Sequence, residues 1–420
     1  MVKITPQVLS GTVQAPPSKS YAHRAVIGAF LAKDKCTIKN LHLSADILAT
    51  LDCTAQLGSK WKYSKKTETA TIQGEKTPSS SVLLDCGESG STLRFFIPIA
   101  MTMCDMVQFT GHGRLMERPL DPYFEIFKEK KIEYSLKDSV LTINGRLTPG
   151  TYNIDGSVSS QFITGLLYAL PLLDGDSQIK IKGNLTSRAY IDITIDVLKK
   201  FGIEIKNENY SSFIIKGNQK YKAHSYTVEG DFSNAAFWLV AGALGCDVTC
   251  SGLDENSLQG DKAIIEIIES TGASVERIGK NSLCARHTAD MHGVTVDADA
   301  VPDLVPILAV LFCFCNGTSR IENAGRLRIK ESDRLAAITA ELSKMGANIT
   351  EGQDYLEIHG KQVLNEAEVS SWNDHRIAMA TAIAACRCEG EVSIIGAKKA
   401  VTKSYPNFFE DYIKLGGNAE

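Results

Sequence analysis

The chain has 420 residues, 45 Lys and Arg against 49 Asp and Glu, and a formal net charge of −4. With 44% hydrophobic and 22% charged residues it has the make-up of a globular protein with a large core, long enough for about two or three domains. That balance excludes a global basic footprint for nucleic acid or for an anionic membrane surface, so any positive charge that serves an anion must be local.

The remaining classes fall in the same way. The longest apolar stretch, 304–315, is far short of the ~20 residues of a membrane span. Residues 1–10 lack a charged start leading into an apolar run, so no leader is expected there. The 11 Cys are scattered, and the close pairs Cys246/Cys250, Cys313/Cys315 and Cys386/Cys388 lack zinc-finger or redox spacing. Reduced core thiols in a cytoplasmic protein are expected. The 8 His form no HExxH-type ligand pair, so no metal is expected.

In chain order, residues 2–14 alternate polar and apolar, carry Gly11 and stand outside the pattern that follows. An apolar helix is predicted over 25–32, entered by Ser18, Lys19 and Ser20 with Arg24; an amphipathic helix starts at Asp46 and ends near Gly58. A second apolar helix, 93–101, is entered by Ser89, Gly90 and Ser91 with Arg94. The loop 113–119 then carries Arg114 and Arg118 ahead of an amphipathic helix from Asp121. The third, 162–173, is entered by Ser159, Ser160 and Gln161. It is followed by Ser187, Arg188 and Tyr190 and a helix from Asp192 that ends near Gly202. The fourth, 235–244, is entered by Ser233 and Asn234, with a helix from Asp261 that ends near Gly272. The fifth, 304–314, is entered by Asp303. Lys330, Glu331 and Arg334 precede or open its companion helix, which starts at Asp333 and ends near Gly346. The sixth, 377–385, is entered by Asn373, Asp374, His375 and Arg376, and Lys403 precedes a helix from Asn407 that ends near Gly416.

The amphipathic starts recur at intervals of 75, 71, 69, 72 and 74 residues. Asp or Asn at each start reads as an N-cap, and Gly at five of the six ends as a left-handed terminus. A strand pair closing on a Gly turn follows, as in 139–145, 212–217 and 355–360. Six copies of one α/β unit result: apolar helix, strand, capped helix, hairpin. The sixth ends at Glu420 without its hairpin, and residues 2–14 are expected to supply the missing strands. Two globes follow, 18–229 and 1–17 plus 230–420, each of three repeats around buried parallel helices.

Helix N-termini carry free N–H groups and partial positive charge, so they attract anions. One Ser at such a place is most often only a cap, one Arg a solvated charge, and His23 and His375 structural donors. Different polar sets at equivalent places in six repeats are instead what a shared asymmetric site needs. Asp303 and Glu331 are acids among cations. A cap for Asp303 and a salt bridge to Arg334 for Glu331 weigh evenly against a catalytic base, and burial beside Pro302 is expected to raise the Asp303 pKa.

The motifs PPSKSYAHRA (16–25), GESGSTLR (87–94), GRLMERP (113–119), GSVSSQFITGLL (156–167), SRAYIDIT (187–194), VEGDFSNAAF (228–237), NSLQGD (256–261), VPDLVPILA (301–309), IKESDRLAA (329–337), NDHRIAMA (373–380) and VTKSYPNFF (401–409) run the whole chain in family order. They resemble the 5-enolpyruvylshikimate-3-phosphate synthase family, the 3-phosphoshikimate 1-carboxyvinyltransferases. The resemblance implies an α/β (α+β) enolpyruvyl transferase fold of two globes, each three βαβαββ units, both contributing to the site. It implies that Lys19, Ser20, Arg24, Ser159, Ser160, Gln161, Ser187, Tyr190, Asp303 and Lys330 hold shikimate 3-phosphate. It gives phosphoenolpyruvate to Lys19, Gly90, Arg114, Gln161, Arg334, Arg376 and Lys403. Asp303 is implied as proton acceptor, with Glu331 and Lys19 as proton-transfer partners. No cofactor, nucleic acid or membrane is implied, and a cytoplasmic monomer is expected. Glu88 and Phe95 depart from the residues the family often has there, and Arg326 stands where some members place a substrate-touching Asn. Two rivals remain: a sister enzyme acting on a UDP-amino sugar, with Lys-Asn instead of Lys19-Ser20 and a reactive loop Cys, and a non-catalytic anion binder, which has no use for Asp303 and Glu331.

Overall fold

A computed structural model describes residues 1–74, 80–361 and 363–420. The chain divides into two compact units, Lys19–Val228 and Met1–Ser18 with Glu229–Glu420.

Three four-stranded sheets build the first unit. Their strands, in spatial order, are Ser225–Thr227, Cys36–Lys39, Thr69–Gly74 and Ser59–Ser64; Ser81–Asp85, Met106–Thr110, Val140–Asn144 and Glu133–Lys137; and Gly150–Asp155, Ser177–Lys182, Ser212–Ile215 and Ile205–Glu208. Each sheet has one parallel pair and two antiparallel pairs. A βαβ crossover makes the parallel pair, and a hairpin closes the rest.

The second unit repeats the plan with borrowed strands. Ser10–Gln14 runs parallel to Asp247–Ser251, completing the sheet of the hairpin Ser274–Arg277 and Ser282–Arg286. Val2–Thr5 pairs antiparallel with Val392–Ile395 and with the two-residue strand Asn418–Ala419. Val2–Thr5 therefore fills the place of a hairpin strand in the sixth repeat, as expected, whereas Ser10–Gln14, expected there too, instead completes the sheet of the fourth. The fifth sheet, Thr295–Asp297, Thr318–Glu322, Leu356–His359 and Asn348–Glu351, is self-contained.

The six apolar helices are Lys19–Leu31, Gly90–Met101, Ser160–Ala169, Phe232–Ala243, Val305–Phe312 and His375–Ala384. Every residue of Val305–Phe312 is buried, because a helix apolar on all sides has no face to leave in water. Each buried Leu, Ile or Phe contributes roughly 1.5–3 kcal/mol, so the ends of these helices are anchored by the core. Gly165 shows how close they pack: a Cβ there would stand 2.6 Å from the Arg94 carbonyl oxygen of the neighbouring helix.

The amphipathic helices follow with corrected starts. Asp333 caps Arg334–Lys344 as expected, accepting from the Ala336 N–H at 3.0 Å. Of the other five, Asp121 and Asn407 mark their helix starts without a cap bond and three lie elsewhere. Ser44 caps Ala45–Gln56, leaving Asp46 in its first turn. Asp121 opens its helix, and neither Leu120 ahead of it nor Asn407 makes a side-chain cap bond. Asp192 lies one turn inside Arg188–Lys200 and accepts from the Tyr210 hydroxyl. Asp261 sits in the short 3-10 turn Gly260–Ala263. At Asp46, Asp192 and Asp261 a tertiary partner or an earlier start overrides the local capping preference. At the other end the reading holds: Gly58, Gly202, Gly272, Gly346 and Gly416 all take positive φ. In the copy without a Gly, Lys131 takes φ 57° in its place, a conformation that costs a side-chain-bearing residue about 1 kcal/mol.

Candidate functional site

In the Lys19–Val228 unit the helix entrances hold a set of cations with mostly neutral partners. Lys19 opens its helix and pairs with Asp46 at 3.0 Å. Arg24, one turn on, is 3% exposed. Its Nε donates to Thr194 Oγ1 at 2.8 Å, Nη1 to the Ser20 carbonyl at 2.8 Å and Nη2 to the Tyr190 carbonyl at 3.1 Å. Its guanidinium also lies 5.2 Å from the Phe95 ring centroid and 6.0 Å from that of Tyr190, within cation–π range.

Gln161 is fixed from both sides of its amide. Its Oε1 accepts from Arg94 Nη1 at 2.7 Å and its Nε2 donates to Ser91 Oγ at 2.9 Å. Ser159 caps the same helix by accepting from the Gln161 N–H, and Ser160 is buried beside it. Ser187 precedes Arg188–Lys200 with φ 53°. A non-glycine residue held left-handed in a buried loop is the kind of local strain that gathers at binding sites.

The structure separates the two loop arginines. A Cβ built on Gly90 would stand 2.6 Å from Arg118 Nη1, so Arg118 reaches the entrance of the Gly90–Met101 helix. Arg114, the expected ligand, is half-exposed and pairs with Glu117 at 3.7 Å. The 3-10 turn Leu115–Glu117 carries the chain round between them, which the spacing in GRLMERP could not reveal. His23 is buried against Thr50 Oγ1 at 2.7 Å, and burial with nearby Lys19 and Arg24 holds its pKa well below the usual value. It is structural, as read.

The Glu229–Glu420 unit concentrates opposite charges. Arg334 is 1% exposed and serves three carboxylates: Nε to Asp374 at 2.8 Å, Nη1 to Asp303 at 2.8 Å and Nη2 to Glu331 at 2.8 Å. Arg376 adds Nη2 at 3.2 Å from Asp303 Oδ2, Nη1 donating to the Asp303 carbonyl at 3.0 Å, and a bond to the Ser233 hydroxyl at 2.8 Å. Lys330 stands 3.9 Å from Asp303. Asp374, fully buried, also accepts from Ser332 and caps the His375–Ala384 helix. Lys403 donates to the Asn373 carbonyl at 2.6 Å, where the backbone turns through φ 52°.

The electrostatics correct the expectation for Asp303. Burial by itself pushes its carboxyl up, but Arg376, Lys330 and Arg334 outweigh that and hold it well below the usual carboxylate range. Lys330 moves the other way: burial brings it down to about 8, against the pull of Asp303. Burial and then repulsion by Asp303 raise Asp261 to about 7, while Arg376 and the Ser233 hydroxyl pull it back. The sequence named Asp303, Glu331, Lys330, Arg334, Arg376 and Lys403, and the first five share one network. It placed Asp374 at a helix entrance without giving it a role, and it read Asp261 only as a cap.

A cluster that pairs every carboxylate with a cation can bind small anions by exchange, and a carboxylate released in that exchange can take a proton. Comparisons with known proteins bear on which anions. The family model of EPSP synthase (3-phosphoshikimate 1-carboxyvinyltransferase) matches residues 4–412. A 3-phosphoshikimate 1-carboxyvinyltransferase of Clostridium novyi (strain NT) is 50% identical, with 99% of this chain and 97% of that one covered. One of Clostridioides difficile (strain 630) is 46% identical over 100% of this chain and 98% of its own. Among solved structures, EPSP synthase from Acinetobacter baumannii superposes with a TM-score of 0.81 at 25% identity, covering 100% and 99% of the two chains. The enolpyruvyl transferase NikO from Streptomyces tendae, at 16% identity and a TM-score of 0.78 over 100% and 98%, shares the fold.

Proposed function

The chain belongs to the EPSP synthase family, and from that premise we propose which of its residues perform the reaction. It transfers the enolpyruvyl group of phosphoenolpyruvate to the 5-hydroxyl of shikimate 3-phosphate and releases phosphate, a step of the shikimate pathway to aromatic amino acids. The hydroxyl oxygen bonds to C2 of the donor while C3 gains a proton. The tetrahedral intermediate then loses phosphate and the same kind of proton from its methyl group.

Shikimate 3-phosphate is assigned to Lys19, Ser20, Arg24, Ser159, Ser160, Gln161, Ser187, Tyr190, Asp303 and Lys330. Phosphoenolpyruvate is assigned to Lys19, Gly90, Arg114, Gln161, Arg334, Arg376 and Lys403, with Arg118 beside Gly90 as a further cation. The observation that carries the reading is Asp303 held by Arg334, Arg376 and Lys330 at once. Without ligand it is a charged but weak base. Substrate phosphates and carboxylates compete for the same cations, and as they take them Asp303 regains the basicity that removing the hydroxyl proton requires. Glu331, tied to Arg334, and Lys19 deliver and remove the methyl proton. The cations also stabilise the charge that builds at the departing phosphate. The protein acts as a monomer in the cytoplasm; no described helix is long and apolar enough to cross a membrane.

Phosphate release on mixing both substrates is the test. Asp303→Asn should leave substrate affinity near wild type and lower kcat by at least about a hundredfold, the scale of general-base loss. An unchanged kcat would sink the assignment.

A further inference from the structure

The motif 256–261 finds its structural meaning at the entrance of the Phe232–Ala243 helix. Gln259 Oε1 accepts from the Phe232 N–H at 3.1 Å, and its Nε2 donates to the Gly230 carbonyl at 2.8 Å. Two residues on, Asp261 Oδ2 accepts from the Ser233 hydroxyl, while its Oδ1 is buried without a hydrogen-bond partner among the described residues. Asp261 is 4% exposed and unused by the reaction scheme above.

Its connection runs to the centre of that scheme. Ser233 has a single hydroxyl proton, and Asp261 takes it. The Ser233 oxygen therefore turns a lone pair to Arg376 Nη2, 2.8 Å away. The same Nη2 reaches Asp303 Oδ2 at 3.2 Å. One guanidinium is thus divided between two carboxylates, Asp303 directly and Asp261 through a hydroxyl. The charged groups that face Asp261 are Asp231 ahead of the Phe232 helix, Asp303 ahead of the Val305 helix and Arg376 on the His375 helix.

We infer that Asp261 is a positioning residue for this reaction: through Ser233 it shares Arg376 with Asp303, and so sets how strongly Asp303 is held and how much of Arg376 is left for a substrate anion. The inference rests on Asp303 being the base. Two carboxylates driven apart around one cation take different roles. Asp303 stays ionised and receives the proton. Asp261, raised to about 7 by burial and then by Asp303, changes charge within the working range. Its ionised form repels Asp303 and draws on Arg376, which leaves Asp303 the better base.

The experiment is a pH profile of kcat and of the phosphoenolpyruvate KM for wild type, Asp261→Asn, Ser233→Ala and the double variant, with Asp303→Asn in parallel. Asn keeps an oxygen for Ser233 and removes the charge. Wild-type kcat should rise through a pH near 7, and Asp261→Asn should lose that rise. Its kcat above that pH should be about 3- to 10-fold lower, with a phosphoenolpyruvate KM no higher than wild type. The double variant should be no worse than the poorer single one, because both changes cut one chain of contacts. A rise near neutrality that persists in Asp261→Asn, or a raised KM with unchanged kcat, would overturn the inference. If Asp261→Asn does not fold, Ser233→Ala carries the test: it breaks the link to Arg376, so the rise should shrink although Asp261 still repels Asp303 directly, and an unchanged rise would overturn the inference. Asp303→Asn separates the premises: full activity there removes the base itself, whereas its loss beside an unaltered Asp261→Asn profile removes only this inference.

Discussion

The helix entrances of the two units use the same residue types to opposite ends. In the Lys19–Val228 unit the buried arginines rest on neutral partners: Arg24 on Thr194, two carbonyls and the Phe95 ring, Arg94 on the Gln161 amide, the Pro119 carbonyl and the Phe162 ring. The charge of Arg24 is left for a ligand. In the Glu229–Glu420 unit Arg334 and Arg376 are held among Asp303, Glu331 and Asp374, with Asp261 behind Ser233. There the charge is already balanced, and proton affinities depend on how it is divided. The first arrangement is built to bind anions and the second to respond to them. A repeat therefore fixes where polar residues gather, and the partners of each Arg decide whether the place binds or reacts.

The hardest way to strain this comparison is to remove one arginine from each unit. Arg334→Met leaves three carboxylates without their shared cation and should cost about 3–5 kcal/mol, the scale of a broken buried ion pair. Arg24→Met leaves only a hydroxyl and carbonyls unsatisfied and should cost about 1–3 kcal/mol. Urea unfolding of both variants measures the difference. Equal losses would show that the neutral and charged settings are not distinct.

Much of this was legible because it is local. The entrance residues are contiguous, recur at intervals of 69 to 75 residues and are followed by Gly at a left-handed helix end. What failed was whatever depends on partners brought from other repeats. Asp46, Asp192 and Asp261 carry a capping signal, yet Lys19, the Tyr210 hydroxyl and Ser233 claim their carboxylates. The burial of Asp303 was foreseeable from its setting, but not the arginines at 334 and 376 that reverse its effect. GRLMERP offers two arginines, and only the turn between them determines that Arg118 approaches Gly90.

A finer test uses Lys330, a cation of the second cluster whose charge is adjustable near working pH. Burial brings it down to about 8, so above that pH the ligand-free side chain is mostly neutral. A bound anion favours the charged form and raises the value again. Binding therefore takes up a proton between about 8 and the ordinary Lys value near 10, and affinity should fall through that window by up to about tenfold per pH unit. Calorimetric titration of shikimate 3-phosphate from neutral to alkaline pH measures it, and Lys330→Met should flatten the curve. An identical slope in Lys330→Met would assign the proton to another group.

The smallest expected effect probes the first unit alone. A methyl on Gly90 would stand 2.6 Å from Arg118 Nη1 and 2.8 Å from Cζ, the far end of a flexible side chain. No backbone has to move, so Gly90→Ala should change the unfolding midpoint by little, within about 0.5 kcal/mol. The displaced guanidinium can no longer meet the donor from the same place. The phosphoenolpyruvate KM should rise by about 3- to 30-fold, a cost of about 0.6–2 kcal/mol, with the shikimate 3-phosphate KM nearly unchanged. Because Arg118 has no part in the proton transfers given to Lys19, Glu331 and Asp303, kcat should follow far less than KM. A kcat that fell in step with it would mean that Arg118 acts in the transition state, and the division between a binding unit and a reacting one would have to be redrawn at that residue.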